Sequence, residues 1–327
     1  MSSVEFTELG RTGLKVSVIG LGTWQWGSRE WGWLRSYGKE DVAGALDEAE
    51  RLGINLIDTA EIYGSGESER LIGELLKGRR EKFFIASKFF PYHMTYDGII
   101  KACYKSLERL RTSEIDLYQV HWPNPIVPMK TMMKAMEHLY SQGKIRAIGV
   151  SNFSQSQLAS ARTHLSKVDV ASNQVKYNIL ERDPEGGLLS YLRREGMSLI
   201  AYSPLAQGLL TGKYSVTSRP SGGIRRTNIL FSRRNLRSAE GLLETLKEIG
   251  ARHDRTTSQV ALNWLVTKPS VIAIPGAKGP RHVRENAGGA GWVLTEDELK
   301  EIERAYRAFL EGSERGYGRA LLRMVHP

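Results

Sequence analysis

Short, near-continuous apolar runs alternate along most of this chain with stretches in which apolar residues recur at the three- and four-residue spacing of a helix. The runs at 18–22, 55–58, 83–88, 115–121, 147–151, 171–174, 198–202 and 271–274 have the length and the boundaries of strands. Helix-period segments at 40–51, 68–76, 98–110, 131–141, 156–163 and 185–194 lie between them. Parallel strands need covering helices, and eight such units close into a barrel. Ahead of the repeat, 5–9 and 14–18 flank the turn Gly10-Arg11-Thr12-Gly13, which predicts a β-hairpin able to plug the barrel floor.

Period-two alternation puts Ile115, Leu117, Gln119 and His121 on one side of their strand, so His121 points inward at the C-terminal rim. Two insertions, 24–39 after the first strand and 205–237 after the seventh, fall on that same face. A last helix at 296–310 and a tail to Pro327 follow, and a tail of that kind could pack across the barrel mouth. No Gly/Ser/Pro linker divides the pattern. The expectation is one α/β domain over 1–327, a (β/α)8 TIM barrel with an N-terminal β-hairpin, long catalytic-face loops and an extra C-terminal helix.

With 41% hydrophobic and 25% charged residues the chain can fill a full core. Its net charge of +10 is scattered rather than blocked, and no zinc spacing or aromatic-interleaved basic helix points to nucleic acid. The densest basic stretch, Arg219, Arg225, Arg226, Arg233, Arg234 and Arg237, reads either as a mobile loop near a phosphate ligand or as a solvated basic loop. The single cysteine, Cys103, excludes an intrachain disulfide and fits a reducing compartment. No apolar run approaches the roughly 18 residues of a membrane span, and the N-terminus lacks a signal pattern, so a cytoplasmic protein with no membrane partner is expected. Oligomeric state is not legible.

Asp58, Tyr63, Lys88 and His121 sit at or just past three successive strand ends. An ammonium beside a phenol stabilises phenolate and so lowers a pKa that is ordinarily about 10. Lys88 could supply that charge to Tyr63, Asp58 would hold Lys88 charged, and His121 could orient a carbonyl and stabilise charge developing on its oxygen. Singly, Asp58 or Lys88 reads more readily as a structural ion pair; together the four groups serve protonation of a carbonyl oxygen. No side chain supplies hydride, so a reduction implies a nicotinamide cofactor. No Gly-x-Gly-x-x-Gly motif is present, and no metal site is expected.

The stretch 53–64, Gly-Ile-Asn-Leu-Ile-Asp-Thr-Ala-Glu-Ile-Tyr-Gly, and the stretch 146–153, Arg-Ala-Ile-Gly-Val-Ser-Asn-Phe, are similar to the two signatures of the aldo-keto reductase superfamily. The chain resembles that family over nearly its whole length, in the branch that includes potassium channel β-subunits and bacterial members. The resemblance implies that Asp58, Tyr63, Lys88 and His121 are the family tetrad and that NADPH reduces aldehydes and ketones with Tyr63 as general acid. It also implies nicotinamide contacts from Ser151, Asn152, Gln174 and a stacked Tyr202, with Gly22, Thr23, Trp24 and Asp58 nearby. Ser203, Pro204, Leu205, Gly208, Leu210, Gly212 and Lys213 would cover the pyrophosphate. Gly276, Lys278, Arg281, His282, Glu285 and Asn286 would form the adenosine side, with Lys278 and Arg281 on a 2′-phosphate. Here Gly276-Ala277 stands where many members carry Lys-Ser, and His282 where they carry Arg or Gln.

Beside that reading, Ser151 and Asn152 could simply cap the following helix, and Gln174 could satisfy backbone groups at the rim. Trp24 and Trp26, with Phe90, Tyr92 and Trp122, are expected to line an apolar or aromatic carbonyl pocket, whereas Trp31 and Trp33 either join it or pin the loop. His93, His138, His164, His253 and His326 read as surface or packing residues. Two alternatives to a reductase remain: a slow or non-catalytic NADPH-binding sensor of the channel β-subunit type, and a Schiff-base aldolase built on Lys88.

Overall fold

All eight apolar runs read as strands become strands, and one parallel sheet takes them in chain order. The computed structural model describes residues 4–220 and 224–314. An antiparallel hairpin, β1 (Phe6–Glu8) and β2 (Lys15–Ser17), comes first. The sheet follows as β3 (Leu21–Gly22), β4 (Leu56–Asp58), β5 (Phe84–Phe89), β6 (Ile115–Val120), β7 (Ile145–Ser151), β8 (Val170–Lys176), β9 (Ser198–Tyr202) and β10 (Val271–Ala273). Its ends meet: the Gly20 amide donates to the Ala273 carbonyl at 2.8 Å, and the Gly22 amide to the Pro275 carbonyl at 3.0 Å. A closed sheet has no edge to protect.

Helices α1 (Lys39–Arg51), α2 (Glu67–Leu75), α3 (Tyr96–Leu110), α4 (Met129–Ser141), α5 (Gln155–Arg162) and α6 (Leu188–Glu195) cover the barrel as the periodicity predicts. The segment at 185–194 starts later than expected. Gly187 takes φ 117°, a left-handed conformation that separates a short turn at Asp183–Glu185 from α6. After β9 come α7 (Ile224–Thr227), α8 (Arg233–Arg252) and α9 (Thr257–Val266), and after β10 come α10 (Pro280–Ala287) and α11 (Glu296–Gly312). Arg233, Arg234 and Arg237 thus belong to α8 and not to a loop. Its cap, Ser232, accepts from the Asn235 amide, and Leu236 and Ala239 bury its inner face. The expected C-terminal tail beyond 314, including His326, lies outside the described residues.

Two apolar layers result. The inner one packs Leu56, Phe84, Leu117, Ile200 and Ile272 inside the barrel, with Leu9 and Val16 of the hairpin sealing the floor. The outer one joins strand faces such as Tyr118 and Val120 to the helices. The floor is tight at Gly10, where φ is +57° and a Cβ would lie 2.5 Å from the Ala171 carbonyl oxygen. Among the described residues no helix is long and apolar enough to cross a membrane, and no cluster of His, Cys, Asp or Glu could hold a metal ion.

Asp116 ties three strands together. It is 2% exposed, accepts from the Ile85 amide at 2.8 Å, and pairs with Arg80 and Arg146, each at 2.7 Å. Asp116→Ala is expected to cost about 2–4 kcal/mol in urea unfolding, since it strands a buried amide and unpairs two guanidinium groups. A loss below about 1 kcal/mol would mean that the pairs behave as exposed ones.

Candidate active site

Parallel pairing fixes the ends of β4, β5 and β6 side by side, with Asp58 level with Ala86 and Lys88 level with Gln119. Inward alternation then turns Asp58, Lys88 and Gln119 into the mouth of the barrel. Lys88 is fully buried, and its ammonium donates to Asp58 Oδ1 at 2.5 Å, to the Thr59 carbonyl at 2.8 Å and to Tyr63 Oη at 3.3 Å. An ammonium has three donors and no acceptor, so Tyr63 Oη must accept here. The phenol's own proton is therefore directed away from Lys88. The Tyr63 and His121 rings meet edge to face, with centroids 5.8 Å apart. The structure brings all four tetrad residues together.

One expectation is overturned. The net shift of Tyr63 is upward: burial, followed by the negative field of Asp58, pushes that phenol well above its ordinary value. Desolvation outweighs the stabilisation an ammonium gives a phenolate, and Asp58 adds to the upward shift. Burial also lowers the Lys88 pKa, against the opposing pull of Asp58. Tyr63 is a protonated donor throughout the neutral range.

Asp58 needs more than one partner, because a carboxylate that is 2% exposed keeps several lone pairs to satisfy. Its Oδ2 accepts from the Gln174 amide at 2.7 Å and from the Gln119 amide at 3.3 Å. Gln174, expected on the nicotinamide, here serves Asp58. Gln119 was assigned no role from sequence, although it shares the inward stripe of His121. Its place requires a glycine opposite: a Cβ on Gly149 would lie 2.9 Å from Gln119 Cγ. On the neighbouring strand ends, Ser151 Oγ donates to the Gln174 carbonyl at 2.8 Å, and Asn152 accepts from Tyr202 Oη at 3.1 Å. Neither Ser151 nor Asn152 caps α5; Ser154 does, accepting from the Gln157 amide.

The rim departs from expectation at Trp26. Its ring is fully buried and its Nε1 donates to the Ala277 carbonyl at 2.7 Å, so it fastens the 24–38 loop to the barrel and lines no pocket. Trp33 is likewise buried against Tyr37. Trp24 is exposed and packs edge-on against Trp31, centroids 5.0 Å apart. Phe90 and Tyr92 do reach the site: the Phe90 ring stands 5.7 Å from His121 and 5.4 Å from Tyr92. Trp122, half-buried, follows His121 directly. Thr23 is buried, and its hydroxyl donates to the Asp58 carbonyl at 2.9 Å and pairs with Ser68 Oγ at 2.8 Å.

Past Tyr202 the backbone turns repeatedly through the left-handed region, with positive φ at Ser203, Ala206, Gln207, Gly208 and Gly212. Such segments aim successive amides outward and suit anions. Pro204 and Leu210 anchor the segment by burial, and Leu205 is half-buried. Cations crowd beside it. Burial and the fields of Arg225 and Lys213 lower the Lys278 pKa, and burial with Lys213, Lys278 and Arg281 lowers that of His282. Like charges clustered in this way suit a polyanion. Lys278 itself donates to the Trp31 carbonyl and lies over the Tyr37 ring, while Arg225 stacks 4.6 Å over Trp31. Glu285 accepts from Thr256 Oγ1, and Asn286 is buried beside the exposed Gly276, to whose carbonyl it donates at 3.5 Å.

The model of the Aldo/keto reductase family matches residues 18–307. An uncharacterized oxidoreductase of Mycobacterium tuberculosis is 43% identical over 302 residues, covering 91% of this chain and 93% of the relative. The chloroplastic pyridoxal reductase of Arabidopsis thaliana is 37% identical, covering 89% and 84%. Among solved structures, an aldo-keto reductase from Klebsiella pneumoniae in complex with NADPH is 29% identical and superposes with a TM-score of 0.74 over 97% of both chains. On sequence, fold and the arrangement of the barrel mouth, the chain belongs to the Aldo/keto reductase family.

Proposed function

We propose that the protein reduces aldehydes and ketones to alcohols with NADPH, Tyr63 giving the proton to the carbonyl oxygen. The observation that carries this reading is the Lys88 ammonium spent on Asp58, the Thr59 carbonyl and Tyr63 Oη, which leaves the phenol proton for a ligand in the mouth. A carbonyl oxygen placed between Tyr63 and His121 would take that proton as negative charge builds on it. The raised phenol pKa keeps the proton in place until then, and the buried ammonium beside it stabilises the phenolate left behind.

NADPH, when bound, supplies a hydride from nicotinamide C4. The chain fits such a cofactor. Tyr202, Asn152, Ser151 and Gln174 lie together at the barrel mouth for the nicotinamide end. The left-handed segment from Ser203 to Gly212, with Lys213, suits the pyrophosphate, and Lys278, Arg281 and His282 suit a 2′-phosphate. Phe90, Tyr92 and Trp122 favour apolar and aromatic carbonyls. The relative from Arabidopsis is named for an aromatic aldehyde, pyridoxal.

Tyr63→Phe is expected to lower kcat by about 10²–10⁴-fold, as for loss of a general acid, with NADPH affinity unchanged in a fluorescence titration. Retained turnover would remove Tyr63 from the chemistry. Lys278→Ala with Arg281→Ala is expected to weaken NADPH binding by about tenfold or more while changing NADH binding by less than about threefold. Equal losses would place the 2′-phosphate elsewhere. Tight NADPH binding with no turnover on any aldehyde would favour the sensor reading.

A further inference from the structure

Two residues before Tyr63, the same loop carries a second buried carboxylate that touches none of the proton-handling side chains. Glu61 is 9% exposed. Its Oε1 accepts from the Phe90 amide at 2.6 Å and faces His93 Nε2 at 2.9 Å, with Oε2 3.1 Å from the same nitrogen. Its own amide donates to the Lys88 carbonyl at 3.2 Å. His93, expected as a surface or packing residue, is therefore the partner of an acid at the catalytic rim.

The loop so held is the aromatic side of the mouth. Phe90 faces His121, Tyr92 packs on Phe90, and the Tyr92 and His93 rings lie 4.4 Å apart. Little core burial fixes this wall, because Tyr92 is 58% and Met94 49% exposed. Its position depends on polar tethers at its two flanks. Glu61 provides one, and Asn124 provides the other by donating to the Pro91 carbonyl at 2.5 Å. The Glu61 tether runs straight back to the loop of Tyr63, so it fixes the distance between the proton donor and the aromatic wall.

We propose that Glu61 is a positioning residue that sets substrate choice: with His93 it holds the Phe90–Tyr92 wall at the spacing that accepts an aromatic carbonyl beside Tyr63. The proposal rests on the reductase reading of that site. The Phe90 amide and the shorter His93 contact both fall on Oε1, an acceptor that glutamine also offers. The bonds and not the charge do the positioning, so the conservative variant should rescue.

The test compares Glu61→Leu and Glu61→Gln in the full chain with NADPH, using benzaldehyde and propionaldehyde. Glu61→Leu should raise the benzaldehyde KM by about tenfold with kcat within about threefold, and should move the propionaldehyde KM by less than about twofold. Glu61→Gln should stay within about threefold of wild type for both. Equal KM changes for the two aldehydes, a kcat loss common to both, or a glutamine variant as impaired as the leucine variant would each overturn the proposal. If Glu61→Leu fails to fold, His93→Leu reads the same tether and should raise the benzaldehyde KM alone. Wild-type turnover of neither aldehyde would instead sink the reductase reading. Equilibrium binding of benzaldehyde to the NADPH-bound variants then decides the proposal: a loss in Glu61→Leu but not Glu61→Gln upholds it, and equal binding overturns it.

Discussion

The buried ion pair between Asp58 and Lys88 is the constraint around which the barrel mouth is arranged. Two charges removed from water are costly unless nearly every lone pair and proton finds a partner. The structure meets that demand with four groups from three strands or their exits: Thr59 and Tyr63 after β4, Gln119 from β6 and Gln174 from β8. Satisfying the ammonium forces Tyr63 to accept, and that acceptance orients the phenol proton. A requirement of folding thus produces the geometry that the proposed proton donation needs.

Beyond the tetrad, the two long loops meet over the cluster of cations. Trp31, carried by the first loop, takes Lys278 on its carbonyl and Arg225 on its ring, which draws together cations 53 residues apart in the chain. Burial and then the fields of the neighbouring cations lower the pKa values of Lys278 and His282, and Glu285 works against this at His282. A negatively charged cofactor would relieve that repulsion.

The strands, the hairpin and the tetrad were legible because each rests on a local pattern: apolar runs, period-two alternation and motifs whose spacing follows the chain. Even Gln119 was within reach, since it lies two residues before His121 on the same stripe. The tethers were not. Glu61 and His93 are 32 residues apart in the chain and meet only because β4 and β5 pair in parallel. Trp26 failed for the opposite reason: four clustered tryptophans look like a pocket, but only burial shows which ring is bonded to Ala277 and which faces water. The direction of the phenol pKa is not legible, because sequence shows the neighbouring ammonium and not the desolvation that outweighs it.

The most direct test of the account is a double-mutant cycle on Asp58→Asn and Lys88→Met, read by both urea unfolding and turnover. Lys88→Met alone should cost about 3–5 kcal/mol by leaving a buried carboxylate unpaired, and adding Asp58→Asn should recover most of that stability. Turnover should stay lost in the double variant, because no ammonium remains to orient Tyr63 and stabilise its phenolate. Additive stability losses, or turnover that returns with stability, would contradict the claim that this pair sets both the packing of the mouth and the direction of the proton.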